Sequence, residues 1–288
     1  MSAGAEPTSR FEAQRPLAFS IAYRMLGSRA EAEDIVQEAW LRWRESDPGA
    51  LESDRAWLTT IVTRLCLDHI KSARVRRETY PGPWLPEPLV GAEEGVPLDS
   101  ESISMAFMLL LESLSPLERA VFLLHRVFDY SHAEIAGIIG TSEAASRQAL
   151  SRAKRQLKEK RPRFASSRQN HERLLGAFLR AVGLGDLKAL TALFAEDVTA
   201  ISDGGGKAKA ALRPVIGRDA VARGTLGGAR RLATDYRLEY ADVNGWPGAL
   251  LWVGDRLEAV LTIECDDDQI HTIYAVANPD KLQRIGTR

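Results

Sequence analysis

From Phe11 onward, apolar positions recur at helical spacing. Leu17, Ala18, Ile21, Ala22 and Met25 form one stripe that stops near Gly27. Ser28 is placed to cap a second helix, with Ile35, Val36, Ala39, Trp40 and Trp43 inward and Asp34, Gln37 and Glu38 outside. Ser46-Asp47-Pro48-Gly49 breaks the pattern into a loop. A third helix is predicted from about Asp54. Leu58, Ile61, Val62 and Leu65 point inward, Arg64, Asp68 and Lys71 lie outward at i, i+4 and i+7, and the helix runs on into Arg74, Arg76 and Arg77. Residues 1–10 read as a loose tail.

The stretch Ser131 to Leu157 predicts two helices joined by a tight turn. Ser131 and Glu134 have capping-box spacing, Ile135, Ile138 and Ile139 form the apolar stripe, and Gly140 suits a left-handed helix end. Thr141 or Ser142 then caps the next helix. There Leu150, Ala153 and Leu157 share one side, and Arg147, Ser151, Arg155 and Lys158 the other, with Gln148 and Arg152 beside them. Arg, Gln and Ser on a helix of this kind suit the major groove, where Arg can pair with guanine and Gln with adenine. A solvated basic surface helix is the bland alternative for such a segment taken alone.

Between Tyr80 and Ser100 the prolines at 81, 83, 86, 88 and 97 exclude a helix, because each removes a donor and fixes φ. The simplest reading is a stiff extended linker. Trp84 and Leu85 are costly to leave in water, which points to docking of this segment. After Arg163 the pattern changes. A helix carrying Leu174, Leu175, Phe178 and Leu179 precedes a shorter one over Asp186 to Phe194. Strands are predicted at Val198–Ile201, Arg237–Val243, Ala249–Val253, Arg256–Glu264 and Gln269–Ala277. Helices followed by strands predict an α+β domain with its helices on one curved sheet.

Composition adds little until it is localised. The chain has 288 residues, enough for two or three domains, and a formal net charge of −1. That balance hides a strongly basic run from Arg147 to Arg163 and an acidic cluster from Glu264 to Asp268, so nucleic acid is not excluded. Cys66 and Cys265 sit in apolar segments and read as buried hydrophobes, not as a disulfide. The five histidines show no ligand spacing, so no metal and no cofactor are assigned. No signal-peptide core or membrane-length apolar run is present, and a cytoplasmic location is expected.

Two helical hairpins with basic helices now stand in order, and here a resemblance becomes specific. AEDIVQEAWLRW (Ala32 to Trp43) and RAWLTTIVTRLCLDHIKSARVRRE (Arg55 to Glu78) resemble region 2 of bacterial extracytoplasmic-function (group 4) sigma factors. Leu114 to Leu157 resembles their region 4, although Ser146 stands where that family often has an apolar residue. GDLKALTALFAEDV is similar to the opening of SnoaL-like domains of the NTF2 superfamily. WLPEPL (Trp84, Leu85, Pro86, Glu87, Pro88, Leu89), DGGGK (Asp203, Gly204, Gly205, Gly206, Lys207) and NPDKL (Asn278, Pro279, Asp280, Lys281, Leu282) look like signatures of the subgroup with such a domain fused at its C-terminus.

The resemblance implies a multidomain protein. Two all-α helical domains, at 1–79 and 105–163, would be joined by a proline-rich linker at 80–104. An α+β SnoaL/NTF2-like cone domain would follow at 168–288. It implies that Asp34, Gln37, Glu38 and Trp40 face core RNA polymerase. Arg64, Asp68, Lys71, Arg74, Arg76 and Arg77, with the loop Ser46 to Ser53, would engage the −10 element. Ser142, Arg147, Gln148, Ser151, Arg152 and Arg155 would read the −35 element of promoter DNA. The three short motifs would regulate the factor in cis, in a chain that is monomeric when free. A Gly-rich loop can also be a plain flexible turn or an anion cradle, and its spacing is not that of a P-loop.

Two other classes stay open at this level. One is an operator-binding regulator acting through Ser131–Leu157 alone, which leaves Asp34–Trp43 unexplained. The other is an enzyme or a sensor of an unknown small-molecule ligand built on the C-terminal domain, with Asp203, Asp235 and His271 as candidates.

Overall fold

A computed structural model of the chain describes residues 5–46, 51, 53–91, 103–160, 166–231 and 236–285, except for the side chains of 5–7, 72–78 and 159–160. These residues fall into two compact units. The first holds α1 (Ala5–Leu26), α2 (Arg29–Glu45), α3 (Asp54–Glu78), most of α4 (Met105–Glu112), α5 (Pro116–Arg126), α6 (His132–Ile139) and α7 (Glu143–Lys160). The second joins residues 79–91 to α8 (Arg168–Leu184), α9 (Leu187–Leu193), α10 (Arg218–Ala229), α11 (Pro279–Leu282) and a sheet.

In the first unit α1 begins at Ala5, so residues 5–10 of the expected tail are helical. The reason is tertiary. Arg10 Nε donates to Asp54 Oδ2 at 2.8 Å, its guanidinium lies 5.8 Å from the Trp43 ring, and Phe11 packs between Trp40 and Trp43. Pro16 lies inside α1 without breaking it, because the helix is held against both α2 and α3. Ser28 caps α2 by accepting from the Glu31 amide at 3.3 Å. Ala32, Ile35, Val36, Ala39 and Trp43 form its buried face, as the periodicity requires.

The remaining helices of this unit are punctuated by local chemistry. Ser115 with Glu118, and Ser131 with Glu134, form capping boxes, and Pro116 opens α5 where its missing N–H costs nothing. Gly140, at φ 70°, closes α6, and Ser142 caps α7 by accepting from the Ala145 amide at 3.1 Å. Val121, Leu124, Tyr130, Ile135, Ile138, Ala149 and Leu150 make the core between these helices. Tyr130 also reaches α3, with its hydroxyl 2.8 Å from Thr59 Oγ1.

In the second unit the described strands are β1 (Phe194–Asp203), β2 (Val215–Ile216), β3 (Tyr236–Val243), β4 (Trp246–Val253), β5 (Arg256–Cys265) and β6 (Ile270–Val276). They form one sheet in the order β2-β1-β6-β5-β4-β3, with β1 and β6 parallel and the other pairs antiparallel. Leu174, Leu175 and Phe178 of α8, Leu190 of α9 and Val221 and Leu226 of α10 pack on Val198, Ala249, Ile263 and Ile273 of the sheet. This is the expected α+β arrangement. Asp186 caps α9 and Phe194 already belongs to β1, which trims the predicted helix at both ends. The sequence reading did not include β2 or α10. Gly224, Gly227 and Gly228 weaken the helical signal of α10, and burial of Val221, Ala222 and Leu226 compensates. Cys66 and Cys265 are both free and buried.

Candidate nucleic-acid interface and linker-docking node

The polar face of α7 is open along its length. Ser142, Arg147, Gln148, Ser151, Arg152 and Arg155 are all exposed, while Ala149, Leu150, Ala153 and Leu157 are buried. Two of the arginines are held in place without being neutralised. Arg147 pairs with Glu143 at 2.9 Å one turn back, and Arg152 Nε donates to Glu118 at 2.8 Å. Burial alone would push the Glu118 carboxyl up, but its bonds to Ser115 and Arg152 bring it below the usual carboxylate range. Such exposed pairs pre-orient the guanidinium groups and hold them only weakly, so phosphate or guanine can compete.

On α2, Asp34 and Gln37 are exposed and Glu38 is half-buried, bonding Arg42 at 3.0 Å. Trp40 is half-buried, with its ring 4.9 Å from Phe11, and Leu41 beside it is 46% exposed. On α3 the residues expected at the −10 strand do not behave alike. Arg64 donates to the Ile138 carbonyl at 2.7 Å and the Gly137 carbonyl at 3.0 Å, which binds it to the end of α6. Lys71 and Asp68 pair at 2.8 Å in the open, and that bond lowers the Asp68 carboxyl. The side chains of Arg74, Arg76 and Arg77 and the loop residues 47–50 and 52 lie outside the described residues.

The three short motifs meet. Asp203, at the end of β1, is fully buried. Its carboxylate accepts from the Tyr80 hydroxyl at 2.5 Å, the Leu85 amide at 2.8 Å, the Gly205 amide at 3.0 Å and Lys281 Nζ at 2.7 Å. Lys281 also donates to the Leu85 carbonyl, and its ammonium lies 4.2 Å from the Trp84 ring and 5.2 Å from that of Tyr80. Asn278 caps α11 by accepting from the Asp280 amide, and its Nδ2 donates to the Tyr80 hydroxyl at 2.8 Å. Lys207 pairs with Asp280 at 2.6 Å. Burial and the adjoining Asp203 carboxylate hold the Tyr80 phenol protonated far above its ordinary range.

The glycines of DGGGK are required by space as well as conformation. Gly205 and Gly206 have φ of 59° and 71°. A Cβ on Gly205 would collide with the Asn278 side chain, and one on Gly206 would meet the Pro81 ring at 3.0 Å. Beyond the node, the Leu89 amide donates to Asn244 Oδ1 at 3.0 Å and the Leu89 carbonyl accepts from the Asn244 amide at 2.8 Å, the Gly91 amide donates to the Asp242 carbonyl, and Val90 bridges to Val243 of β3. Residues 80–91 of the proline-rich segment are therefore docked on the sheet unit, with Leu85 and Leu89 buried and one bridge to its edge strand β3. Tyr80 and Asn244 were not among the sequence candidates. Asn244-Gly245 carries the type of hairpin signal that could have marked the turn, but nothing local marks its acceptor role.

The candidates for C-terminal chemistry are not assembled. Asp203 belongs to the node, Asp235 lies outside the described residues, and His271 Nε2 bonds Asp266 at 2.8 Å. Burial raises the Asp266 carboxyl, and its bonds from His271 and two backbone amides outweigh this and take it down to about 2. An open cavity of about 230 Å³ lies elsewhere, between Val182, Leu226, Arg230 and Tyr236. Among the described residues, no group of three His, Cys, Asp or Glu side chains is placed to hold a metal. No helix among them is long and apolar enough to cross a membrane.

Comparison with known proteins matches the sigma-70 region 2 model to residues 10–76 and the sigma-70 region 4 model to residues 104–157. ECF RNA polymerase sigma factor SigJ of Mycobacterium tuberculosis (strain ATCC 25618 / H37Rv) is 41% identical over 290 residues, covering 95% of this chain and 92% of that protein. The probable ECF RNA polymerase sigma factor SigI of M. tuberculosis (strain CDC 1551 / Oshkosh) is 32% identical, covering 96% and 94%. The crystal structure of M. tuberculosis SigJ aligns with a TM-score of 0.77 at 38% identity, over 96% of this chain and 98% of that one. With both sigma regions matched in order and the sheet unit included in the aligned length, the chain belongs to the ECF RNA polymerase sigma factors.

Proposed function

We propose a division of labour within this sigma factor. Asp34, Gln37, Glu38 and Trp40 dock core RNA polymerase. The α3 face with Arg64, Asp68, Lys71, Arg74, Arg76 and Arg77 engages the −10 element, and Ser142, Arg147, Gln148, Ser151, Arg152 and Arg155 read the −35 duplex. The exposed, weakly paired arginines of α7 support the last assignment. The functional divisions are 1–79, 80–104, 105–163 and 168–288.

The C-terminal unit regulates the factor in cis by gripping the linker. The observation that carries this is the convergence on Asp203 of Tyr80, Leu85 and Lys281, drawn from all three motif regions. Held in this way, the linker fixes how much chain is left between the two DNA-binding domains, and that length sets the population of promoter-competent states. The protein acts in the cytoplasm, monomeric when free, with no cofactor and no chemistry of its own. Transcription by core polymerase from a cognate promoter tests it. Asp203→Ala should change transcript yield at least about threefold while core binding persists, a shift that corresponds to about 0.7 kcal/mol between states. Equal yields from both proteins would refute the regulatory role.

A further inference from the structure

The packed side of α7 carries a buried hydroxyl where the helix-turn-helix would otherwise be apolar. Ser146 is fully buried, and its Oγ lies 2.9 Å from Nδ1 of His132, the first residue of α6. The His132 ring stacks on His125 of α5, with centroids 4.6 Å apart and planes at 22°. His125 is anchored in the same sense. Its Nδ1 lies 2.9 Å from the Tyr130 carbonyl, which can only accept, so this nitrogen carries the proton. Both Nδ1 atoms are thus tied to the domain. Both rings are half-buried, and each Nε2 reaches the surface with no partner among the described residues.

The charged and titratable groups facing His132 are His125 from α5 and Glu143, Arg147 and Lys154 from α7. Glu143 is itself paired with Arg147. Burial, then His125 and Arg147, hold the His132 imidazole below its ordinary value in the free protein. An anion at the outward Nε2 reverses that balance, because it favours the imidazolium and accepts its N–H. The two anchored imidazoles thus stand beside the basic stripe of α7, and His132 is held toward its neutral form while the surface is empty, ready to be recruited by a phosphate.

We propose that His125 and His132 form a proton-linked phosphate clamp beside α7, which takes up a proton as the −35 duplex binds. The clamp rests on the reading of α7 as the −35 reader. With Nδ1 of His132 kept on Ser146, the phosphate contact at Nε2 fixes the seating of α7 in the groove, as backbone contacts do elsewhere. The DNA-bound form holds more protons than the free form, so affinity rises as pH falls through the interval between the free and bound titrations of His132.

The test uses the full-length chain assembled with core polymerase and a fluorescent duplex that this holoenzyme has selected from a random-sequence pool. Dissociation constants are measured at pH 6 and pH 8 at one ionic strength. The wild type should bind about tenfold tighter at pH 6, the scale expected for partial uptake of one proton. His132→Gln, which keeps a partner for Ser146, should cut that ratio to about twofold, and His125→Gln should reduce it as well. A wild-type ratio near one, or an unchanged ratio in His132→Gln, overturns the clamp. Failure of the underlying reading shows separately, as an Arg147→Ala holoenzyme whose −35 sequence preference matches wild type at both pH values.

Discussion

Lys281 Nζ lies 2.7 Å from Asp203 Oδ2, with the lysine side chain 11% exposed and the aspartate side chain fully buried. Neither charge has bulk water to fall back on, so each depends on the other and on Tyr80 and Leu85. The ion pair turns a linker contact into an all-or-none event, because a buried charge without its partner is strongly disfavoured.

Lys281→Met should therefore destabilise the sheet unit by about 3 kcal/mol, the scale for breaking a buried pair on one side. Adding Asp203→Asn to it should recover part of that loss, since the amide carries no charge to strand. Chemical denaturation of the two single variants and the double variant gives the coupling. Additive losses would mean that the pair does not act as a unit.

Gly205→Ala tests the same node without touching a charge. Its φ of 59° disfavours a side chain, and the added methyl would strike Asn278. The expected cost is about 1–3 kcal/mol, from backbone strain and displacement of Asn278. Limited proteolysis at residues 79–91 should also become faster in this variant. Gly91→Ala, with open space around its Cβ but φ of 79°, should show only the smaller strain effect.

His171 supplies a pH dependence. Its ring stacks on Trp246 at 5.3 Å, its Nε2 is buried without a partner, and burial takes its pKa down to about 4 from 6.5. The folded state thus binds fewer protons than the unfolded state between these two values. The stability His171 permits is present above about pH 6.5 and is lost as pH falls toward 4. From pH 7.5 to pH 5 its share of the loss should be about 2 kcal/mol. Denaturant midpoints of wild type and His171→Phe should diverge over that interval, and parallel curves would exclude His171 as the source.

Arg147→Ala and Arg152→Ala separate recognition from folding. Both side chains are about half exposed in their ion pairs with Glu143 and Glu118, and such pairs contribute about 0–1 kcal/mol. Thermal midpoints should stay close to wild type while −35-dependent transcription falls. A variant that has lost a phosphate contact should also lower the salt slope of DNA binding by about one. Loss of core-polymerase binding in equal measure would argue against a role confined to the duplex.

The helices were legible because their signals are local. Ser28 and Ser131 cap the helices that follow them, Gly140 ends α6, and the spacing of Ile35, Val36, Ala39 and Trp43 puts them on one buried face. The outward face of α7 was legible for the same reason, since a period of 3.6 assigns every residue a side. Residues 5–10 were misread as a tail because their helix depends on Asp54 and Trp43, which are distant in sequence. Periodicity places Arg64 outward but carries no sign of its bonds to the Gly137 and Ile138 carbonyls, which lie more than 70 residues along the chain.

Caps, periodicity and motif identity were properties of the sequence, set by interactions over a few residues. The meeting of Tyr80, Leu85, Asp203 and Lys281, and the pairing of His132 with buried Ser146, were decided by the tertiary structure. A buried polar atom must find a partner wherever the fold brings one, and that partner can lie nearly 200 residues away, as Lys281 does from Leu85.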